Sequence, residues 1–132
     1  MNIITINTSK PEQLIDITSK IQEVIDRSGV KEGICIVFTL HTTCGLTITE
    51  NADPDVKKDM LLGLEKVSPY RAEYLHFEGN SPAHIKSSLL GVSLTLIIEN
   101  GRLVLGTWQG VYFAEFDGPR MGRKTAVKIF PT

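Results

Sequence analysis

Val92 to Ile98 reads Val-Ser-Leu-Thr-Leu-Ile-Ile, a strongly apolar run with apolar groups on both faces of an extended strand. Such a strand needs cover on both sides, from helices, a second sheet or neighbouring subunits. It is followed at once by Asn100-Gly101, the clearest hairpin signal in the chain, so Arg102 to Thr107 is expected to pair back. Trp108 to Phe116 continues in extended form. Asp117-Gly118-Pro119-Arg120 makes a turn, and Lys124 to Phe130 closes the sheet.

The first two thirds supply the cover. Ile3 to Thr8 alternates as a short strand. Ser9-Lys10-Pro11-Glu12 has the form of a helix start, and Leu14, Ile17, Ile21, Val24 and Ile25 recur at helical spacing as far as Ser28-Gly29. Gly33 to Leu40 is a strand with Ile34, Ile36, Phe38 and Leu40 on its more apolar face, which turns Cys35, Val37, Thr39 and His41 to the other. Thr42-Thr43-Cys44-Gly45 connects it to a second strand, Leu46 to Glu50. Asp53-Pro54 opens a helix with Val56, Met60, Leu61 and Leu64 as its buried stripe. Ser81-Pro82 opens a third, which ends at Leu90-Gly91. The order predicts a single α+β domain over residues 1–132, with mixed, mostly antiparallel sheet(s) covered by three helices.

Composition narrows the function. At 132 residues the chain is long enough to bury a full core. A formal charge of -1 predicts no broad attraction to nucleic acid or to an anionic membrane. Two cysteines and a start without a basic, apolar leader predict a cytoplasmic protein with reduced thiols, although Cys35 and Cys44 are close enough in sequence for one disulfide.

The chemistry concentrates in three places. His41 stands between two apolar strands, and His76 and His84 follow later; a pocket where the three imidazoles meet, with a carboxylate nearby, is expected to hold a divalent ion, zinc first, with magnesium or manganese as alternatives. Taken one at a time, each histidine more often ends as a satisfied polar or surface group. His84 falls in the first turn of its helix, beside backbone N–H groups that favour an anion. Glu50 lies on the alternating apolar face and is expected to need a partner, whereas Asp53 is read as a helix cap. The glycines of Gly106-Thr107-Trp108-Gln109-Gly110 suggest a bulge or a close backbone approach. Arg120 follows a rigid turn and is placed to clamp a phosphate or carboxylate, or to pair with Asp117 or Glu115. Lys86 and Arg123 are read as solvated charges, Trp108 as core or interface, and Cys44 as inert packing.

His41-Thr42-Thr43 with Gly45-Leu46-Thr47-Ile48 and Glu50-Asn51-Ala52-Asp53-Pro54, then His76, Asn80 with Ala83-His84, Leu89-Leu90-Gly91, and Leu105 to Tyr112 through Glu115-Phe116-Asp117-Gly118-Pro119-Arg120, together resemble the YjbQ-like family. The resemblance spans nearly the whole chain. It departs at Thr49, where the family often has asparagine, and at Cys44, where alanine or serine is common. Members are commonly labelled secondary thiamine-phosphate synthases. The resemblance implies a homotrimer with pockets near subunit boundaries. It carries over to His41, Glu50, His84, Gln109, Asp117 and Arg120 as catalytic residues and to His41, His76 and His84 as metal ligands. The reaction implied joins an aminopyrimidine methyl diphosphate to a thiazole phosphate and releases diphosphate. The alternatives are a metal-dependent hydrolase or transferase on another phosphorylated metabolite, and a non-catalytic ligand- or metal-binding trimer. The partner in each case is a small phosphorylated metabolite.

Overall fold

In the computed structural model, which describes Met1–Thr132, the alternations resolve into eight strands and three helices. They are β1 (Asn2–Ile6), β2 (Gln13–Asp16), α1 (Thr18–Ser28), β3 (Gly33–Thr39), β4 (Cys44–Glu50), α2 (Pro54–Val67), α3 (Ser81–Leu90), β5 (Ser93–Glu99), β6 (Arg102–Leu103), β7 (Gln109–Glu115) and β8 (Arg123–Pro131). One sheet runs β1-β8-β3-β5-β6 and the other β2-β7-β4. Every neighbouring pair is antiparallel, so neither sheet is mixed. No helix is long and apolar enough to cross a membrane.

The two sheets share one core. Val37, Leu96 and Val127 of the larger sheet meet Leu46, Val111 and Phe113 of the smaller, and α1 adds Ile21, Val24 and Ile25. The other face of the smaller sheet is covered separately. There Leu14, Tyr112, Ala114 and Phe116 pack with Ala83 of α3 and with the half-buried Met60, Leu61 and Leu64 of α2. The strand covered on both faces is therefore β7, with alternate residues in two different cores. β5 is covered on one face only: Leu96 and Ile98 are buried, but Ile97 is 56% exposed. β3 likewise turns the side opposite to the expected one inward. Cys35, Val37 and Thr39 are buried, while Phe38 and Leu40 are largely exposed. The side of β3 that meets α1 and the smaller sheet in the shared core carries the smaller row, and the side-chain period of two sends the bulkier row out.

The helix expected from Pro11 begins later. Gln13–Asp16 is a strand paired to β7, with Leu14 opposite Ala114 and Ile15 opposite Phe113. Ser9 donates its N–H to the Gln13 side chain, and the first turn of α1 is capped instead by Asp16, whose Oδ1 accepts from Thr18 N at 2.9 Å. An edge on β7 outcompetes a local capping signal because it satisfies backbone groups and buries Leu14 together. The Asn100-Gly101 hairpin forms as expected, both residues having positive φ, but β6 is only two residues long.

Lys86 is not a solvated charge. It is 2% exposed, and Nζ donates to Glu12 Oε2 at 2.6 Å and to Glu65 Oε2 at 3.0 Å. It thereby ties α3 to α2 and to the segment before β2. Burial alone would pull the ammonium pKa down, but the hydrogen bonds and charges of Glu12 and Glu65 outweigh it and leave the group above its ordinary value. A raised folded pKa gives stabilisation that is complete below the unfolded value, about 10.4, and is lost as pH rises through the folded one. Lys86→Ala should therefore cost about 1–3 kcal/mol at pH 7 in urea denaturation, and should remove part of the wild type's loss of stability above about pH 10.

Candidate functional site

The charged side chains gather where β7 leaves its sheet. Gly118 sits so close to the preceding segment that a Cβ there would lie 2.2 Å from Lys10 O, and its N–H donates to Pro11 O. The turn is pinned on its other side by Thr8, whose N–H donates to Arg120 O and whose hydroxyl accepts from Arg120 N, both at 2.8 Å. Asp117 Oδ2 then accepts from Arg120 Nη2 and from Asn80 Nδ2, each at 2.9 Å. The turn after β7 is thus bolted to the start of α3. Arg120 is the expected partner of Asp117, and its guanidinium remains half exposed.

Beneath the turn lies a group missed in the sequence. Glu115 is fully buried and accepts from Arg123 Nε at 3.0 Å, from Arg123 Nη2, from Thr8 Oγ1 at 2.8 Å and from Asp117 N at 3.1 Å. Arg123, read as solvated, is 6% exposed and also donates to Thr43 Oγ1 at 2.8 Å. Burial pushes the Glu115 carboxyl up, but Arg123 and the other donors more than reverse this and hold it below its ordinary value. A carboxylate closing an otherwise unbroken apolar run, Val111 to Phe116, was the available signal for this pair.

His41 lies just past the end of β3. Its Nε2 accepts from Lys124 N at 2.8 Å, and it lines a hollow of about 430 Å³ with Phe38, Leu40, Thr42 and Val92. Burial lowers its pKa; Arg123 lowers it further, against Glu115, and Arg120 and Lys124 add to the fall. Cys44 begins β4 nearby, its Sγ 3.2 Å from Thr39 Oγ1 and its thiol pushed up by burial. Cys35 is pushed up to about 11 by burial. Both are free thiols, which fits packing rather than attack.

His76 and His84 do meet. Their rings stand edge to face at 5.4 Å, in a hollow of about 420 Å³ shared with Tyr74, Ser81 and Ile85. Ala83 N and His84 N both donate to Asn80 O, and Pro82 has no N–H, so Ser81 N is the open donor at this helix start. Asn80 Oδ1 is buried without a partner.

The remaining predicted residues are elsewhere. Glu50 pairs in register with Gln109, and Cys44 with Glu115, at opposite ends of the same ladder. Six residues of strand, about 20 Å, separate Gln109 from the Glu115 end. There Glu50 Oε2 accepts from Asp53 N and Gln109 Oε1 from Gly106 N, while Asp53 caps α2 as expected. Trp108 is not in the core; it is 62% exposed. The chain thus brings His76 to His84 and Asp117 to Arg120, links the second pair to the start of α3 through Asn80, sets Arg120 within electrostatic reach of His41, and leaves Glu50 and Gln109 apart. The three imidazoles do not share one hollow within the chain, and no group of three or more His, Cys, Asp or Glu is arranged to hold a metal ion. A hollow of about 650 Å³ between α1 and β6 contains none of these residues; three carboxylates, Asp16, Glu23 and Asp26, outnumber its one cation, Arg102.

Residues 2–132 match the sequence model of the family described as UPF0047 protein YjbQ-like. A UPF0047 protein of Methanocaldococcus jannaschii is 54% identical over 94% of this chain and 89% of its own length. The YugU protein of Bacillus subtilis is 50% identical over 91% and 92%. Among solved structures, a family protein of Clostridium acetobutylicum superposes with a TM-score of 0.95 at 55% identity, covering 98% of this chain and all of that one. A YbjQ-like protein of Sulfolobus solfataricus gives 0.94 at 29% identity, covering 99% and 96%. None of these relatives' names carries a reaction.

Removing one partner of a buried charge pair leaves the other unpaired, at about 3–5 kcal/mol. Glu115→Gln should destabilise the protein by that order at pH 7. Because the folded pKa of Glu115 is lowered, its stabilisation is present above the unfolded value, about 4.3, and is lost as pH falls through the folded one. Urea denaturation between pH 7 and pH 3 should therefore show a shallower loss in the variant than in the wild type.

Proposed function

The chain belongs to the UPF0047 protein YjbQ-like family, and we propose that it acts on small phosphorylated metabolites in the manner of a secondary thiamine-phosphate synthase. In that reaction a thiazole phosphate takes the aminopyrimidine methyl group, and diphosphate departs with the electron pair of the broken carbon–oxygen bond. The demand on the protein is to hold negative charge as it grows on the leaving group, more than to supply a strong base.

The observation that carries this reading is the joint between the 117–120 turn and the start of α3. Arg120 Nη2 and Asn80 Nδ2 share Asp117 Oδ2, so a guanidinium and a helix N-terminus are held on one edge. A guanidinium has five N–H donors. Nε and one N–H of Nη2 are used on Asp117, which orients the group and leaves the remainder for phosphate oxygens. Ser81 N adds a backbone donor, and His84 stands one turn along the helix to give a hydrogen bond or a proton to the departing diphosphate. Asp117 is a positioning residue in this scheme. Glu50 and Gln109 would enter it only if carried there by another copy. A divalent ion would find two imidazoles, His76 and His84, fewer than a resident site needs, so no step here passes through a metal.

The reading includes self-association as a homotrimer. The uncovered face of the larger sheet presents Phe38, Ile97 and Phe130, and Leu75 and Phe77, on either side of His76, are 97% and 93% exposed. Apolar surface of this extent marks an interface, and a pocket beside His76 would then be closed by a neighbour. The Arg120–Asp117 pairing also favours a second reading, a trimer that binds a phosphorylated ligand without turnover.

Diphosphate release from the two substrates separates these. His84→Ala should lower turnover about 10²-fold or more while light scattering shows the same assembly. Full turnover in the variant would end the assignment of His84. Binding of phosphorylated compounds with no turnover across a panel of phosphates and diphosphates would leave the ligand-binding trimer, and turnover of another member of the panel would move the activity to a different hydrolase or transferase.

A further inference from the structure

We infer that His41 presents Nδ1–H as a fixed hydrogen-bond donor to an anionic oxygen of a ligand held by Arg120, and that it is not a metal ligand. The inference deepens the proposed function and rests on it for the identity of the oxygen; the state of the ring rests on geometry alone.

The geometry is a continuation of the sheet by a side chain. The register between β3 and β8 ends at Thr39 opposite Thr125. One residue further, Leu40 N donates to Lys124 O at 3.1 Å, and Lys124 N donates to His41 Nε2 at 2.8 Å. The imidazole stands where a strand carbonyl would accept. A backbone N–H can only donate, so Nε2 must present a lone pair to it, and the hydrogen of the neutral ring is then on Nδ1.

Metal binding at either nitrogen conflicts with this. The lone pair of Nε2 is already committed to Lys124. Nδ1 could coordinate only if its hydrogen moved to Nε2, which would set two donors against each other at hydrogen-bond distance and orphan the Lys124 N–H. The surroundings suit an anion instead. The ion pair of Arg123 with Glu115 is close to neutral as a unit, which leaves Lys124 and the half-exposed Arg120, itself held by Asp117, as the cations that face an incoming anion. Lys124 also follows Arg123 in sequence, so the ring is registered to β8, the strand that contributes the arginine of the buried pair.

The test is NMR on the ¹⁵N-labelled full chain. Long-range proton–nitrogen correlation at neutral pH should find His41 with a protonated Nδ1 and a bare Nε2. Zn²⁺ should move His76 and His84 and leave His41 in place, whereas inorganic diphosphate should move His41 Nδ1. His41→Gln offers an oxygen to Lys124 N but no hydrogen at the Nδ1 position. It should keep the wild-type thermal midpoint and weaken diphosphate binding about tenfold or more. His41→Asn, which places an N–H near Nδ1, should recover part of that loss. A hydrogen found on Nε2, a His41 response to Zn²⁺ equal to that of His76 and His84, or wild-type affinity in His41→Gln would overturn the inference. Diphosphate that moves no histidine signal would overturn the phosphate reading of the site and the anion half of this one, while the first spectrum still decides the ring's state.

Discussion

The salt bridge between Glu115 and Arg123 is the constraint on which the site depends. It is buried near the shared core, where an unpaired charge would be costly, and every acceptor position on the carboxylate is used. Because its donors come from Thr8, Arg123 and Asp117, the pair fixes the exit of β7, the entry of β8 and the end of the segment after β1 in one place. Thr43, bound to Arg123, brings the crossing between the two sheets to the same point. The exposed groups of the candidate site stand on that frame. Arg120 is oriented by Asp117, which follows Glu115 by two residues, and His41 is registered to Lys124, which follows Arg123.

The layering explains why charged and polar groups collect there. β7 is buried on both faces, so its side chains can only pack, and polar groups are pushed to its ends. At the far end, Gln109 and Glu50 satisfy a turn and a helix start. At the near end the chain must leave the sheet, and the groups there are oriented by the buried pair yet remain open to solvent. The outer face of the larger sheet has a different character: Phe38, Ile97 and Phe130 are exposed on it, with Lys128 over the Phe130 ring.

Much of this was legible in the residues. Alternation located nearly every strand, Asn100-Gly101 located the hairpin, and Asp53-Pro54 and Ser81-Pro82 located two helix starts, because turn and cap chemistry is local. The motifs that resemble the family marked Asp117, Arg120, His76 and His84; the structure pairs Asp117 with Arg120 and sets His76 against His84. The errors are of one kind. Ser9 to Glu12 has a sound capping pattern, yet Gln13–Asp16 became a strand because an edge of β7 was open to it. Lys86 and Arg123 read as solvated because nothing within a few residues of either announces a partner; Glu12 and Glu65 are 74 and 21 residues from Lys86.

The amino-acid sequence by itself determined the elements, their approximate limits and the family, since these follow from periodicity, propensity and motif over short spans. Only the tertiary structure decided which face of β3 turned inward, which strand was buried twice, which charges were paired, and which nitrogen of His41 was committed. Those outcomes are set by competition among distant segments for the same buried space and the same hydrogen-bond partners, and that competition has no local trace in the order of residues.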